Sequence, residues 1–209
     1  SLPVEDVTRK FMLIRRYFTT QEFYNQEEVD NLLRQIDKSE NFKEIGGNLA
    51  LAISSVFLKA FALENDLEIF EFLLKKKPKM PKPVCNVVGG WKQIGSDIQE
   101  YLLLPIHQKT FLDSTTKIAD SYKQVAKVLI EKDPNFVFAK NIESAWVTSL
   151  NIEQILANLA KIADENLLKI GLDFAASQLW DGKKFYFYKN SGIKLLSNQQ
   201  ISFVEDLAR

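Results

Sequence analysis

The chain is poor in the residues that form covalent cross-links and soft-metal sites. Its 209 residues include a single cysteine, Cys85, and a single histidine, His107. A single cysteine excludes a disulfide within the chain and is typical of a protein from a reducing compartment. One cysteine and one histidine also exclude a zinc site built from Cys and His ligands of this chain alone, because such a site needs several of them.

An excess of charge of either sign is also missing. Lys and Arg together number 27, as do Asp and Glu, so the formal net charge is zero. A protein that binds nucleic acid or an anionic membrane surface through general electrostatics needs a basic excess. We therefore expect neither nucleic acid nor a membrane as a partner.

Long hydrophobic runs are scarce as well. We find no apolar stretch of the length that a transmembrane helix needs, and the first residues, SLPVEDVTRK, do not have the basic start and apolar core of a signal peptide. These features predict a cytoplasmic protein. The apolar share of 46% is nevertheless enough for a sizeable core.

The chain changes character at KKKPKMPKP, residues 75–83. Before this segment, apolar residues recur at helical spacing, with Asn25 as a predicted N-cap and 48–63 as a buried helix that is apolar nearly all round. The three prolines and five lysines of the segment cannot continue a helix and favour an extended linker. We therefore predict two domains, 1–78 and 79–209, of which the first is helical.

After the linker, strand-like apolar runs alternate with helical patterns. The runs predicted as strands are 84–88, 101–104, 136–139, 169–175 and 184–188, and the predicted helices are 110–131, 152–163 (capped by Asn151) and 198–207. Strands that alternate with helices are typical of a parallel sheet. The predicted fold class of this region is therefore α/β.

Two of these runs carry a single carboxylate. Glu100 precedes the run YLLLP, and Asp173 lies within IGLDFAAS at 170–177. An ionised carboxylate is costly to bury without a partner, so a buried strand that keeps one predicts a metal ion or a cationic substrate group beside it. The alternatives are an exposed strand start for Glu100 and, for Asp173, a satisfied buried side chain or a cap on the following turn.

The same segments resemble the enolase (phosphopyruvate hydratase) family. KPVCNVVGG resembles the family's P-V-P-M-x-N-I-I-N-G-G, QEYLLLP is similar to Q-E-F-M-I-L-P, NIESAW lies where the family has G-D-E-G-G-F, and GLDFAASQLW resembles G-x-D-x-A-A-S-E-F. Residues 27–62 are similar to the family's L-D-G-T-x-N-K loop and the helices beside it. The resemblance implies the helical part of an enolase-like N-terminal domain, followed by a partial enolase-type TIM barrel.

For function, the resemblance implies the magnesium-dependent dehydration of 2-phosphoglycerate, a small phosphorylated carboxylate, to phosphoenolpyruvate in glycolysis. Glu100 and Glu143 correspond to catalytic carboxylates that act on the leaving hydroxyl group and the catalytic water. Asp173 corresponds to the first of the family's magnesium carboxylates, and an Asp at a strand end suits this hard cation. Lys92 takes the place of a family histidine, which implies a contact with the substrate, although an exposed loop lysine is the plainer alternative.

The chain also departs from the family pattern. The D-E-G-G loop is replaced by I-E-S-A, and Gln178 stands in place of a glutamate. The family's catalytic base and its two further metal acids, which lie on later strands, have no counterpart here. We therefore expect the chain alone to be inactive. The alternative is a degenerate, non-catalytic enolase-like module for binding or assembly, whose sheet edges would be covered by self-association or by a partner chain.

Other residues that could carry chemistry favour simpler interpretations. His107 is expected at a solvent-facing turn, and Cys85 is expected to be an inert core thiol. Glu205, in VEDLA, superficially resembles a metal acid of the family but falls within a helical pattern, so we expect it on a helix surface. The pair Gly89-Gly90 lacks the context of a phosphate-binding loop.

Overall fold

The chain divides into two compact units. The computed structural model describes residues 2–74, 76, 79–90 and 95–208. The first unit comprises Ser1–Lys79 and the second Met80–Arg209, so the division falls inside the lysine- and proline-rich segment.

The first unit is helical. Its helices are α1 (Val4–Ile14), α2 (Arg16–Thr19), α3 (Gln26–Ile36), α4 (Gly47–Glu64) and α5 (Ile69–Leu73). Asn25 caps α3 as predicted, since its side chain accepts a hydrogen bond from the Glu28 amide at 3.0 Å. Val29 and Leu33 of α3 share one apolar cluster with Ile53 of α4, so the pairing of these two helices forms the centre of the unit.

A buried carboxylate fixes the loop between α3 and α4. Asp37 is 1% exposed and accepts hydrogen bonds at 2.8–3.0 Å from three backbone amides, those of Ser39, Glu44 and Ile45. Burial by itself would raise the pKa of this carboxyl, but the hydrogen bonds from Ser39 and from the backbone outweigh it and hold the pKa below its ordinary value. The ionised side chain therefore stabilises the loop that leads into α4.

Helix α4 is less buried than its sequence predicts. Leu49, Ile53 and Phe61 lie in the core of the unit, but Leu51 and Leu63 are 68% and 81% exposed. This exposure follows from packing, because the neighbouring helices of the unit cover only part of the circumference of α4. By length and composition α4 could also cross a membrane, contrary to the expectation that no stretch is long enough, but the core helix of a soluble protein has the same properties.

The second unit combines a sheet with helices. Its elements are β1 (Cys85–Val88), β2 (Glu100–Leu104), α6 (Phe111–Lys132), α7 (Ile152–Asn166), β3 (Lys169–Asp173), α8 (Ala176–Leu179), β4 (Tyr186–Tyr188), β5 (Ile193–Leu195) and α9 (Ser197–Leu207). Strands β1, β2 and β3 form one sheet in that order, while β4 and β5 pair with each other. Tyr101 and Leu103 of β2 are fully buried in one cluster with Leu129 of α6 and Leu159 of α7. The core of this unit therefore lies between the sheet and these two helices.

The strands of the larger sheet are antiparallel, so the prediction of a parallel sheet is wrong here. Strand β2 pairs antiparallel with both β1 and β3. The connection between β1 and β2, residues 89–99, is shorter than the crossover of about a dozen residues that parallel neighbours need. Between β2 and β3 the chain passes through two helices, and the second reverses the direction of the first. One helix between two strands would return the chain for a parallel strand, whereas two antiparallel helices return it for an antiparallel one. The alternation of strand and helix patterns in the sequence does not distinguish these cases.

The packing of α6 against α7 shows this reversal. Gln124 in the middle of α6 accepts a hydrogen bond from Asn166, the last residue of α7, at 2.9 Å. Nearer the end of α6, Leu129 shares a small cavity with Ile155 from the first turn of α7. The two helices therefore run antiparallel and return the chain to the sheet in the direction opposite to β2.

One helix start agrees with the predictions, whereas the shorter strands differ from them. Asn151 caps α7 as predicted, accepting a hydrogen bond from the Gln154 amide at 2.8 Å. The predicted strand 136–139 does not form in the structure, where Lys140 and Trp146 make an isolated bridge. The predicted strand 184–188 narrows to β4. Its partner β5 was not predicted, because three residues after a turn give little periodic signal.

Candidate functional site

The register of β2 and β3 places two of the predicted site residues opposite each other. Glu100 is the first residue of β2 and Asp173 is the last residue of β3, and the two are register partners. Directly opposite residues on neighbouring strands have Cβ atoms roughly 5 Å apart. The two carboxylates therefore lie at the same end of the sheet.

Glu143 is carried to the same end by a turn that pairs with β1. The amide of Trp146 donates to the Val87 carbonyl, and the amide of Gly89 donates to the Trp146 carbonyl, both at 3.1 Å. These two hydrogen bonds align the backbone that follows Glu143 parallel to the end of β1. Glu143 thus stands beside the sheet although it belongs to the loop between α6 and α7.

Two carboxamides bind the Glu143 carboxylate. Its Oε2 accepts a hydrogen bond from Asn86 Nδ2 at 3.0 Å, and its Oε1 accepts one from Gln99 Nε2 at 3.5 Å. Asn86 lies on β1 and Gln99 immediately precedes β2. Glu143 is therefore held by one residue within β1 and one residue just before β2.

The surroundings of Glu100 favour its protonated form. Burial, followed by the negative charges of Glu143 and Asp173, raises the pKa of the half-buried Glu100 carboxyl above its ordinary value. A hydrogen bond with Glu143 acts in the same direction, whereas one with Gln99 acts against it. Glu100 is therefore the carboxyl group of this site whose surroundings favour the protonated, proton-donating form.

Asp173 does not have the buried environment that its sequence predicts. It is exposed at the end of β3, and its Oδ1 accepts a hydrogen bond from the Ala175 amide at 2.8 Å. Both terminal residues of this strand are exposed, so water reaches the carboxylate and replaces the partner that burial would require. The contact is the cap on the following turn that the sequence left as an alternative.

The described carboxylates do not fit a magnesium ion. Mg²⁺ demands a near-octahedral set of oxygen ligands, usually from protein, water and substrate together. In the part of the chain that the structure describes, no three Asp, Glu, His or Cys side chains are grouped to hold a metal. Asp173 alone is too few ligands, because the carboxylates of Glu100 and Glu143 are engaged with each other and with carboxamides.

The remaining residues singled out in the sequence lie elsewhere. Lys92, the predicted substrate contact, is outside the described residues. His107 is exposed in the bend after β2, and Glu205 is exposed on α9, both as predicted. Cys85 is half-buried, and burial raises the pKa of its thiol, which keeps the sulfur protonated and unreactive.

The carboxamides of the site were not predicted from the sequence. Gln178 Nε2 donates to Gln99 Oε1 at 3.1 Å, which extends the chain of hydrogen bonds from Glu143 to the residues after β3. The sequence marks Gln178 only as a departure from a family glutamate. Asn86 and Gln99 stand inside the motifs CNVVGG and QEYLLLP, directly beside residues that were singled out. That adjacency is the signal that could have identified them.

An open cleft of about 630 Å³ borders Glu143. It lies between β1, α6 and the Glu143 turn, with Cys85, Ile118 and Tyr122 among its apolar lining and Lys140 and Glu143 among its charged lining. Its volume is within the range of small-molecule sites, roughly 300–1,000 Å³. The Glu143 side chain is therefore reachable from solvent on this side.

Comparison with known proteins agrees with the motifs. The family model of the enolase N-terminal domain matches residues 4–73, which lie in the first unit. The enolase of Archaeoglobus fulgidus is 34% identical over 194 residues, which is 88% of this chain and 47% of that protein. The enolase of Methanosphaera stadtmanae is 32% identical over 191 residues, or 86% of this chain and 46% of that protein. Enolase 2 of Lactococcus lactis is 27% identical over 192 residues, which is 88% of this chain and 45% of that protein.

The matches cover a large share of this chain but a smaller share of each relative. They cover most of the chain and therefore reach beyond the N-terminal domain into the sheet that carries Glu100 and Asp173. The chain spans slightly less than half the length of these relatives. The resemblance drawn from the motifs is confirmed: the chain belongs to the enolase family.

Proposed function

We propose that the chain supplies the hydroxyl-releasing half of an enolase-type site, which dehydrates 2-phosphoglycerate to phosphoenolpyruvate in glycolysis. The observation that supports this most is the position of Glu100 beside Asp173 and Glu143, where burial and then their negative charges favour its protonated form. Loss of a hydroxyl group as water needs a proton donor at that oxygen, and a carboxyl group with a raised pKa can supply it. The resemblance to the family assigns the same task to these two positions.

In the proposed step, the proton of Glu100 passes to the departing hydroxyl oxygen while the C–O bond breaks and water leaves. Glu100 is then ionised until it takes up a proton from solvent. Asn86 and Gln99 keep Glu143 in place during this transfer, because they bind its two oxygens. For Lys92 we propose a contact with an anionic group of the substrate.

The other half of the reaction needs groups beyond the recognised motifs. A base must remove the proton α to the carboxylate, and a metal ion would stabilise the resulting enolate. Asp173 would be one magnesium ligand only when further carboxylates join it. We propose that the β1–β2–β3 sheet with α6 and α7 is the first part of an enolase-type barrel, that further polypeptide completes it in the cytoplasm, and that this chain alone is inactive.

Complementation tests the proposal directly. The chain is mixed with the part of the Archaeoglobus fulgidus enolase that lies beyond the aligned region, and phosphoenolpyruvate is followed by ultraviolet absorbance with excess Mg²⁺. We expect no turnover from the chain alone and measurable turnover from the mixture. Glu100→Gln and Glu143→Gln should each abolish that turnover, whereas Glu153→Gln, at an exposed position on α7, should not.

Two results would contradict this proposal. Turnover of the mixture that survives both glutamine substitutions would remove the carboxylate pair from the reaction. Turnover by the chain alone that Asp173→Ala abolishes would show that this chain needs no complement. Turnover by the chain alone that Asp173→Ala does not change would instead identify a contaminating enolase of the expression host.

A second candidate function is favoured by exposed apolar side chains. Leu51, Val56 and Leu63 on α4 are 68%, 63% and 81% exposed, and among the described residues β3 has a strand neighbour on one side only. Apolar surface and open strand edges favour association. We propose that the chain self-associates or binds a partner chain, and that such assembly can occur without catalysis. A stable monomer at every concentration in light scattering would contradict this.

A further inference from the structure

The side chain of Asn141 shapes the turn that carries Glu143. Its Oδ1 accepts two backbone hydrogen bonds, from the amides of Glu143 and Ala145, each at 3.0 Å. Its Nδ2 donates to the carbonyl oxygen of Gly90 at 3.2 Å. Asn141 therefore uses one end of its carboxamide inside the turn and the other end to bind the segment that follows β1.

The turn includes one residue in an unfavourable backbone conformation. Ser144 has a φ of +64°, in the left-handed region that residues other than glycine rarely adopt. Backbone hydrogen bonds between Asn141 and Ala145 and between Ser144 and Asn141, both at 3.0 Å, close the turn. The two amides that point to Asn141 Oδ1 add to them. Asn141 thus stabilises a conformation in a loop where the family pattern has glycines.

The far side of the turn is fixed by other contacts. The Tyr122 hydroxyl donates to the carbonyl oxygen of Ser144, and Trp146 Nε1 donates to the carbonyl oxygen of Tyr122 at 3.2 Å. The rings of Tyr122 and Trp146 stack with their centroids 5.0 Å apart. These contacts hold the residues after Glu143, whereas the amide of Glu143 itself donates to Asn141.

We propose that Asn141 is a positioning residue for the Glu143 carboxylate. By fixing the turn against Gly90, it directs Glu143 toward Asn86 and Gln99 at the end of the sheet. The catalytic consequence rests on the proposed function, but the position of the carboxylate can be measured without any turnover.

The side-chain amide signals of Asn86 in a ¹H–¹⁵N NMR spectrum report this position, because Asn86 Nδ2 donates to Glu143. Glu143→Ala removes the acceptor and defines the signal of Asn86 without it. We expect Asn141→Ala to move the Asn86 signal most of the way to that value. The double variant should match Glu143→Ala alone, since a residue that acts through Glu143 adds nothing once Glu143 is gone.

Two further variants separate positioning from folding. Asn141→Asp keeps the oxygen that accepts from the turn but loses the donor to the Gly90 carbonyl, so it should restore the Asn86 signal only in part. Asn135→Ala is the matched control in the same loop, where it removes a hydrogen bond from Asn135 Nδ2 to Ser149 Oγ at 3.1 Å. This control should leave the Asn86 signal unchanged.

An unchanged Asn86 signal in Asn141→Ala would overturn the inference, as would additive shifts in the double variant. If Asn141→Ala fails to fold while Glu143→Ala folds, the inference is also overturned, because Asn141 then serves the whole loop. Failed complementation together with the expected Asn86 shifts would count against the proposed function and leave the role of Asn141 intact.

Discussion

At the scale of single residues, the site contains one residue, Ser144, whose backbone conformation is unfavourable for a residue with a Cβ atom. Ser144 has a φ of +64° directly after Glu143. A left-handed residue with a Cβ costs roughly 1–2 kcal/mol, so we expect Ser144→Gly to be more stable than Ser144→Ala by about 1 kcal/mol. Urea denaturation of the two variants measures the difference. Equal free energies of unfolding would show that the turn carries no such strain.

Gly89 lies close to the backbone of Gln99 at the same end of the sheet. A Cβ added to Gly89 would lie 2.4 Å from the carbonyl oxygen of Gln99. Because a backbone atom cannot step aside as a side chain can, we expect Gly89→Ala to destabilise the fold by about 2 kcal/mol. Gly47→Ala is the matched control, since a Cβ there meets nothing within 4 Å. Similar thermal midpoints for both variants would contradict the prediction.

The site residues that belong to a motif could be predicted from the sequence. Those whose role depends only on the folded geometry could not. Glu100, Glu143 and Asp173 stand in recognisable motifs, and the structure brings them to one end of the sheet. The exposure of Asp173 could not be predicted, because it depends on which segments of the fold lie beside the end of β3. Asn141 is invisible to motif analysis, since its role follows from hydrogen bonds to Gly90, far away in the sequence.

At the scale of elements, a buried carboxylate joins the end of α6 to the loop before α7. Asp133 is 2% exposed and accepts hydrogen bonds from Thr148 Oγ1 at 2.6 Å and from the Ser149 amide at 2.8 Å. Burial would raise the pKa of this carboxyl, but the hydrogen bonds from Ser149 and Thr148 outweigh it and lower the pKa to about 2. Both ends of the segment that carries Glu143 thus meet at one ionised group.

This lowered pKa predicts the direction of acid sensitivity. The folded-state pKa lies below the unfolded value of roughly 3.9, so Asp133 stabilises the fold above that pH and the contribution is lost as pH falls toward 2. We expect Asp133→Asn to be less stable at neutral pH and to lose less stability between about pH 4 and 2. Asp120→Asn, at an exposed position on α6, is the control. Identical acid unfolding curves by circular dichroism would contradict the assignment.

Element bounds could be predicted more readily than element directions. The caps Asn25 and Asn151 begin helices as predicted, because a cap acts within a few residues of itself. The direction of β3 could not be predicted in this way, since it depends on how α6 packs against α7. Local signals therefore position the elements along the chain, while contacts between distant elements decide how the strands pair.

At the scale of the whole molecule, each unit has its own apolar core. One cluster contains residues of the first unit only, such as Val29 and Phe61, and the other contains residues of the second unit only, such as Tyr101 and Leu159. Between them, Lys79 and Met80 are exposed outside any helix or strand. Two separate cores joined by such a segment are expected to withstand its cleavage.

Limited trypsin digestion tests this organisation. We expect an early cut at the Lys79–Met80 bond, because both residues are exposed, with Met80 at 70%. Lys82 should resist cleavage, since trypsin does not cut a Lys–Pro bond and Pro83 follows it. Met80→Pro creates such a bond and should remove the fragment that begins at residue 80, as read by mass spectrometry. The fragment 80–209 should remain resistant and unfold cooperatively, because its core is built from its own residues. Early cuts within α6 or α7 would instead show that this core does not persist without the first unit.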